Sequence, residues 1–311
     1  MTAGPLVSIV VATNRLSPFL IAALASASAQ TYGATELIVV DDGSPGPSAV
    51  SDAARSVPDS RIIRITPSGV STARNIGAEV TSGEYLVFLD DDDLWDPDRL
   101  AAQVAALEAN PTAVASYCGM QVIDAAGAVL VPFDQAPVEG RLDIARGGGG
   151  IILPNLMLRR SAFVAVGGFH SRLRLAQDLD LTLRLAERGP FIFVDRPLVQ
   201  YRAHSENNTN QARQLVGAIR RIVRLHLSEA EARGDLALVA ALTERLRRNE
   251  RYAWWRVAQS VRASSWRELG SVTSELLWAL TTYPRGLAGG VRVRATRRFA
   301  RAEPPRRELA P

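Results

Sequence analysis

The chain has 311 residues, of which 47% are hydrophobic, so it can bury a full core in one large domain or two smaller ones. Its one cysteine, Cys118, excludes an intramolecular disulfide, and we expect this thiol to be buried and inert. The sequence shows neither a signal-peptide pattern nor an uncharged apolar run of about 18 residues. We therefore expect a cytoplasmic protein without a membrane-spanning helix.

The net charge of +4 hides a contrast between the two parts of the chain. Up to residue 205 there are 16 Arg against 22 acidic residues, and beyond it there are 20 Arg against 10. Such a contrast predicts a cation or a ligand for the first part and an anionic surface for the second.

Four short apolar runs alternate with helical patterns in the first hundred residues. The sequence predicts strands at 6–12, 36–41, 61–65 and 84–89, and helices at 18–30, 47–56 and 71–81. This alternation predicts repeated βαβ units, and so an α/β fold with a mostly parallel, Rossmann-like sheet and helices on both faces. We expect each of these strands to be buried on both faces.

The rest of the chain is less regular. A helix is predicted at 97–107, and extended segments at 112–131 with a turn at 124–127. The glycines at 147–150 form either a simple linker or a mobile loop that orders over a bound ligand. The predicted organisation is an α/β domain at 1–205, divided into 1–110 and 111–205, then a basic helical region at 206–303 and a disordered tail at 304–311.

Four consecutive aspartates, Asp90 to Asp93, follow the last predicted strand of the first half, and we call residues 90–93 the acidic turn. Four like charges side by side repel one another, which favours a site where a hard cation or several hydrogen-bond donors neutralise them. The alternative is a solvated turn, in which Asp93, Asp96 and Asp98 do no more than cap the next helix.

Two other strands of the predicted sheet end in polar residues. Thr13, Asn14 and Arg15 follow the first strand, and Asp41 ends the second. Because the carboxyl ends of parallel strands meet at one edge of a sheet, we expect these residues to lie near the acidic turn. A predicted helix that begins near Ser71 carries Arg74 one turn in, which is typical of a diphosphate site. The alternatives are an ordinary N-cap for Ser71 and a surface charge for Arg74.

This set of segments resembles the family 2 glycosyltransferases, which bind nucleotide-sugars in a GT-A fold. The resemblance covers roughly residues 6–205 and does not extend to 206–311. It rests on residues 7–11 with 13–15, 30–32, 36–44, 73–78, 83–93, 97–100, 166–169, 178–181 with 183–185, and 201–202 with 204.

The resemblance implies roles for the strand ends. Asp41 is similar to the residue that hydrogen-bonds the nucleotide base, and Thr13 and Arg74 are similar to residues of the same pocket. Asn14 and Arg15 belong to the same matching stretch as Thr13, and the resemblance implies that they too bind the nucleotide-sugar.

Asp90 and Asp92 resemble the acidic metal motif of the family. Asp92 is the implied direct ligand of Mn²⁺ or Mg²⁺, and Asp91 the residue that faces the ribose. A cation bound by one or two carboxylates and by phosphate oxygens would stabilise the departing diphosphate.

Asp178 resembles the base that takes the proton of the acceptor hydroxyl. From its position alone, after Gln177 at the start of a predicted helix, the favoured interpretation is an N-cap. Three features depart from the family pattern and put the acceptor in question: Gln177 stands where Glu is frequent, His170 where an acid is frequent, and Ala12 precedes Thr13 where Pro is common.

His204 closes the matching region. In one interpretation, His204 contacts the diphosphate or the metal when a closing loop becomes ordered. In the other, it is a histidine at a strand end that bonds to the backbone. We include it, with Asp92 and Asp90, among the candidate metal ligands.

The basic helical region has three candidate roles: a solvated helical cap, an oligomer interface, or a surface for anionic lipid. Residues 269–287 mix apolar and aromatic side chains, and a cluster of Arg residues follows at 285–301. This combination is typical of an interfacial helix at the inner face of a cell membrane. No pattern of a nucleic-acid-binding module is present.

The sequence as a whole predicts an inverting, metal-dependent glycosyltransferase. It would move a sugar from a UDP-, dTDP- or GDP-linked donor to a carbohydrate or polyprenyl-linked acceptor, in the synthesis of cell-surface polysaccharide or glycolipid. The first alternative is a nucleotide-sugar-binding protein without transfer activity. The second is a nucleotidyltransferase, which would need a Gly-rich phosphate loop after the first strand, where the sequence has no glycine.

Overall fold

The computed structural model describes residues 4–204, 212–263, 277–280 and 282–283, with backbone alone at 212 and 255–263. The chain divides into a first unit, residues 1–210, and a second unit, residues 211–311. The predictions for the Arg cluster at 285–301 and the tail at 304–311 lie outside the described residues, as does most of 269–287.

The first four strands and three helices confirm the predicted βαβ repeat. Strands β1, β2, β3 and β4 pair in the parallel order β3-β2-β1-β4. The elements, in chain order, are β1 (Val7–Thr13), α1 (Leu20–Ser28), β2 (Thr35–Asp42), α2 (Pro47–Arg55), β3 (Ser60–Ile65), α3 (Val70–Glu79) and β4 (Tyr85–Asp90).

The remaining strands extend the same sheet but are not mostly parallel. The full order is β3-β2-β1-β4-β8-β6-β9-β5, with β7 paired to β6; β8 is antiparallel to β4 and β6, and β5 to β9. This half of the sheet mixes parallel and antiparallel strands, whereas the sequence predicted a mostly parallel sheet. The prediction failed here because an apolar run does not encode the direction of a strand, which depends on its connections. These elements are β5 (Leu94–Trp95), α4 (Arg99–Glu108), β6 (Ala115–Ile123), β7 (Val129–Val131), α5 (Arg141–Arg146), β8 (Leu156–Arg159), α6 (Arg160–Ala165), α7 (Gln177–Ala186) and β9 (Phe191–Arg202).

The core lies on both faces of the sheet. Along β1, Ile9 and Val11 join a cluster with α1, α2 and α4, whereas Val10 joins a cluster with α3, α6 and α7. Gly77 of α3 has no side chain, and a methyl group there would collide with Val10. The edge strand β3 is only partly buried, so the expectation of burial on both faces is wrong for it.

The second unit contains α8 (Ala212–Ala232) and α9 (Leu236–Ala263), which pack against each other. Val216 of α8, Ala253 of α9 and Tyr283 form a small apolar cluster. The helical prediction is therefore confirmed over these residues. Among the described helices, none combines the length and the apolar character needed to cross a membrane.

Candidate active site

The acidic turn connects β4 to β5 at the carboxyl edge of the parallel strands. Asp91, Asp92 and Asp93 are 9%, 8% and 0% exposed. The alternative of a solvated turn is therefore wrong for Asp93, whose carboxylate accepts the backbone N–H of Arg202 at 2.9 Å. Burial raises the pKa of Asp91 to about 6 and also raises the pKa of Asp92, with help from the charge of Asp90. Burial therefore disfavours the charged form of these carboxyl groups, and a bound cation would favour it.

The end of β1 contacts the acidic turn, as predicted. The hydroxyl of Thr13 donates to Oδ2 of Asp91 at 2.5 Å. Nη2 of Arg15 lies 3.4 Å from Oδ2 of Asp92 and 3.7 Å from Oδ1 of Asp91. Asn14 differs from its neighbours: its side chain is exposed and makes no hydrogen bond within the described residues.

His204, just beyond the end of β9, also reaches the turn. Its Nε2 lies 2.9 Å from Oδ2 of Asp92, and its side chain is 10% exposed. Its ring packs on Phe19, with the ring centroids 5.2 Å apart. Of the two interpretations of His204, the contact with Asp92 favours a place in the site.

Arg74 lies on the buried side of α3. It is 5% exposed, it forms an ion pair with Asp90, and its guanidinium lies 5.7 Å from the centre of the Phe169 ring. The alternative of a surface charge is therefore wrong. The hydroxyl of Ser71 donates to the carbonyl of Leu173 at 2.6 Å and does not cap the helix, so the N-cap interpretation of Ser71 is also wrong.

Asp41 is buried at the end of β2, and both of its oxygens are engaged. Oδ1 accepts the backbone N–H of Ser44 at 2.7 Å, and Oδ2 forms an ion pair with Arg64. The side chain of Arg64 is 45% exposed, so it connects the buried carboxylate to solvent. Arg64 was not predicted from the sequence, because its place opposite Asp41 depends on the register between β2 and β3.

The backbone N–H groups before α3 are already occupied. Ser68 and Gly69 donate to the carboxylate of Asp42, at 2.6 and 2.8 Å. Asp42, which sequence analysis also missed, therefore fixes the loop that leads into the helix of Arg74. Two backbone N–H groups at this helix start thus bind a carboxylate of the protein.

Asp178 stands apart from the acidic turn. It lies in the first turn of α7, half-buried, and its Oδ1 accepts the N–H of Leu179 at 2.9 Å. No direct contact joins it to residues 90–93 in the described part of the chain. Asp180, as expected, points elsewhere: it is 1% exposed and bonds Arg184 and His170, with Nδ1 of His170 at 3.1 Å.

Asn75 joins α3 to the segment before Asp178. Its Nδ2 donates to the carbonyl of Phe169 at 2.8 Å, and its Oδ1 accepts the N–H of Phe169 at 2.9 Å. Gly168, which has a φ of +65°, leaves room for this approach, because a methyl group there would lie 2.7 Å from Oδ1 of Asn75. No sequence signal indicated this link.

The side-chain atoms at the acidic turn are suitable ligands for a hard divalent cation. Carboxylate oxygens and one imidazole nitrogen suit Mg²⁺ or Mn²⁺. Within the described residues, no three acidic, Cys or His side chains form a ready-made cage. Asp92 and His204 together would therefore supply part of the coordination, and phosphate oxygens of a ligand the rest. Asp90 is held by Arg74.

Several known proteins are similar to this chain in sequence. Residues 8–137 match the family described as glycosyl transferase family 2. The chain is 28% identical over 211 residues to an uncharacterized glycosyltransferase of Haemophilus influenzae, which covers 66% of this chain and 70% of that protein. It is 31% identical over 247 residues to the O-antigen biosynthesis protein RfbC of Myxococcus xanthus, over 76% of this chain but only 19% of RfbC.

Solved structures share the fold at low sequence identity. The Staphylococcus aureus TarS fragment 1–349 in complex with UDP-GlcNAc superposes with a TM-score of 0.65 at 17% identity, over 90% of this chain and 81% of that one. The mannosyltransferase PcManGT of Pyrobaculum calidifontis, in complex with GDP-Man and Mn²⁺, gives 0.59 at 22%, over 92% and 85%. The fold is the GT-A fold, and residues 8–137 of the chain form a family 2 glycosyltransferase domain.

Proposed function

We propose that this glycosyltransferase is an inverting enzyme that depends on a divalent cation and uses a nucleotide-sugar donor. The observation that carries the proposal is the meeting of three strand ends at the acidic turn: Thr13 and Arg15 from β1, Asp92 after β4, and His204 after β9. The complexes of TarS with UDP-GlcNAc and of PcManGT with GDP-Man and Mn²⁺ support it.

Asp41 and Arg64 would form the base end of the donor site. Their ion pair presents a carboxylate acceptor beside guanidinium donors. Such a pair suits a base edge with an N–H next to a carbonyl, as in uracil, thymine and guanine. A UDP, dTDP or GDP donor is therefore favoured over a CDP donor, since cytosine lacks that N–H.

Asp92 and His204 would hold the cation at the diphosphate end, and Asp91 with Thr13 would face the ribose. When bound, a divalent cation neutralises the charge that develops on the leaving diphosphate. Arg15, which contacts the same carboxylates, adds positive charge at this end of the site. Asp90 contributes through its ion pair with Arg74, which holds α3 against the turn.

Asp178 would act as the base. Its carboxylate takes the proton of an acceptor hydroxyl, whose oxygen forms a bond to the anomeric carbon of the sugar. The bond from that carbon to the phosphate oxygen breaks on the opposite face, and its electron pair leaves with the nucleoside diphosphate. One displacement of this kind inverts the anomeric centre.

The acceptor would be a carbohydrate or a polyprenyl-linked sugar in the assembly of cell-surface polysaccharide. The similarity to RfbC, which is named for O-antigen biosynthesis, supports this setting. The 20 Arg against 10 acidic residues after position 205 favour peripheral contact with an anionic membrane on its cytoplasmic side.

Calorimetric binding of UDP, dTDP, GDP and CDP, with and without Mn²⁺, tests the donor site. We expect one nucleotide to bind tightly to the wild type with Mn²⁺ and at least tenfold more weakly to Asp92→Asn. Asp98→Asn is the matched control, because Asp98 is exposed and pairs with Arg196. Binding of no nucleotide under any condition would contradict the proposal.

A transfer assay with the donor so identified tests the base. Asp178→Asn should lose about 10²–10⁴-fold in turnover and keep donor affinity. The exposed Asp195→Asn serves as its control. Donor binding with neither transfer nor hydrolysis in the wild type would instead favour a nucleotide-sugar-binding protein.

A further inference from the structure

Arg202, at the end of β9, connects three segments around the acidic turn. The residue is 5% exposed. Its Nε donates to the carbonyl of Asp92 at 3.0 Å, and its Nη1 lies within bonding distance of the carbonyls of Asp124 and Ala125, at 3.2 and 3.0 Å. Its backbone N–H donates to Asp93. The acidic turn, the β6–β7 turn and the end of β9 therefore meet at one buried guanidinium.

Phe19 completes this arrangement from the start of α1. The guanidinium carbon of Arg202 lies 4.5 Å from the centre of the Phe19 ring, and the imidazole of His204 packs against the same ring. A cation over an aromatic face is attracted by the ring quadrupole, more strongly where water is excluded. Phe19 thus contacts both Arg202 and His204.

Asp92 is held twice by this end of β9. Arg202 binds its backbone carbonyl, and His204 binds its carboxylate at 2.9 Å. Both side chains also contact the ring of Phe19. A shift of Arg202 would therefore move both the peptide that carries the Asp92 carboxylate and the imidazole beside it.

We propose that Arg202 and Phe19 are positioning residues that fix Asp92 and His204 in the geometry required to bind a cation together with a nucleoside diphosphate. The proposal rests on the proposed function, since it assigns a role to residues behind that site. In the proposed function, neither Arg202 nor Phe19 contacts the sugar donor or the acceptor. The planar fork of arginine reaches several carbonyls at once, which the single ammonium of lysine does not reproduce.

The test compares Arg202→Lys and Phe19→Leu with Arg196→Lys, an exposed arginine that pairs with Asp98. Binding of UDP, or of whichever nucleotide the wild type prefers, is measured by calorimetry with and without Mn²⁺. We expect each test variant to lose about tenfold or more in the Mn²⁺-dependent affinity, as residues that orient metal ligands commonly do, and to keep the metal-free affinity. Arg196→Lys should match the wild type.

A second readout does not depend on activity. The chain has three histidines, so the imidazole signals are few enough to assign by NMR with a His204→Asn variant. In Arg202→Lys, which leaves the Phe19 ring beside His204 in place, the His204 signal should move, while that of His170, which contacts Asp180, should stay.

Wild-type Mn²⁺-dependent affinity in Phe19→Leu would overturn the proposal, and so would an unmoved His204 signal. Phe19→Leu decides the question even if Arg202→Lys does not fold, because it adds no buried charge. Failure of the proposed function is distinct, because it would appear as no metal-dependent binding in the wild type itself.

Discussion

The link between Asn75 and Phe169 yields the sharpest prediction for stability. Asn75→Ala removes two hydrogen bonds, of 2.8 and 2.9 Å, and leaves both backbone groups of Phe169 without a side-chain partner. Phe169 is 2% exposed, so water cannot readily replace the amide. At about 1–2 kcal/mol for each unsatisfied group, the expected loss is about 2–4 kcal/mol.

Asn110→Ala is the matched control. Asn110 donates one hydrogen bond, of 2.9 Å, to the carbonyl of Ala106 at the end of α4. Both residues are partly exposed, so water can replace that bond and the expected loss is at most about 1 kcal/mol.

The assay is thermal or urea unfolding followed by circular dichroism. For a unit of this size, a loss of about 2–4 kcal/mol corresponds to a fall in Tm of about 4–16 °C. Because Phe169 leads toward Asp178, turnover should fall more than donor affinity does. If Asn75→Ala lost no more stability than Asn110→Ala, the two hydrogen bonds to Phe169 would not stabilise the contact between α3 and the segment before Asp178.

Three further predictions concern single groups of the first unit. Gly77→Ala inserts a methyl group between α3 and β1 and should lower the free energy of unfolding in urea by about 1–3 kcal/mol. Gly33→Ala, with open space around it, should leave the stability unchanged. Equal stabilities of the two variants would contradict the close packing at Gly77. Burial raises the pKa of Glu36, but hydrogen bonds from Ser82, Ser8 and Gly83 outweigh it and lower the pKa below 4.5. Glu36 therefore stabilises the fold above about pH 4.5 and loses this effect as pH falls through its folded pKa. Glu36→Gln should be less stable than the wild type at pH 7, and the difference should shrink as the pH falls below 4.5; a pH-independent difference would contradict this. Burial raises the pKa of the Cys118 thiol to about 11, so a thiol reagent at pH 8 should react only after urea unfolds the protein, and rapid labelling of the native protein would contradict it.

The sequence predicted the acidic turn and its neighbours because their signals are local. An apolar run followed by aspartates identifies both the strand and its end, and parallel pairing then brings Thr13 and Asp41 to the same edge. The contact of Arg202 with Asp93 joins residues 109 positions apart, and that of Asn75 with Phe169 joins residues 94 apart. Such contacts depend on the order of strands in the mixed half, which no periodicity encodes.

The strand order has a consequence for synthesis on the ribosome. β5 directly follows the acidic turn, its one partner among the described strands is β9, and β9 ends at Arg202. Once the first hundred residues have left the ribosome, β4 can already join β1, yet the segment after the turn has no partner strand. It must wait until about a hundred more residues have emerged. The turn that we propose to hold the cation is therefore among the last parts of the sheet to be fixed, because contacts of large sequence separation form late. A nascent chain stalled before β9 would present four aspartates and no finished site.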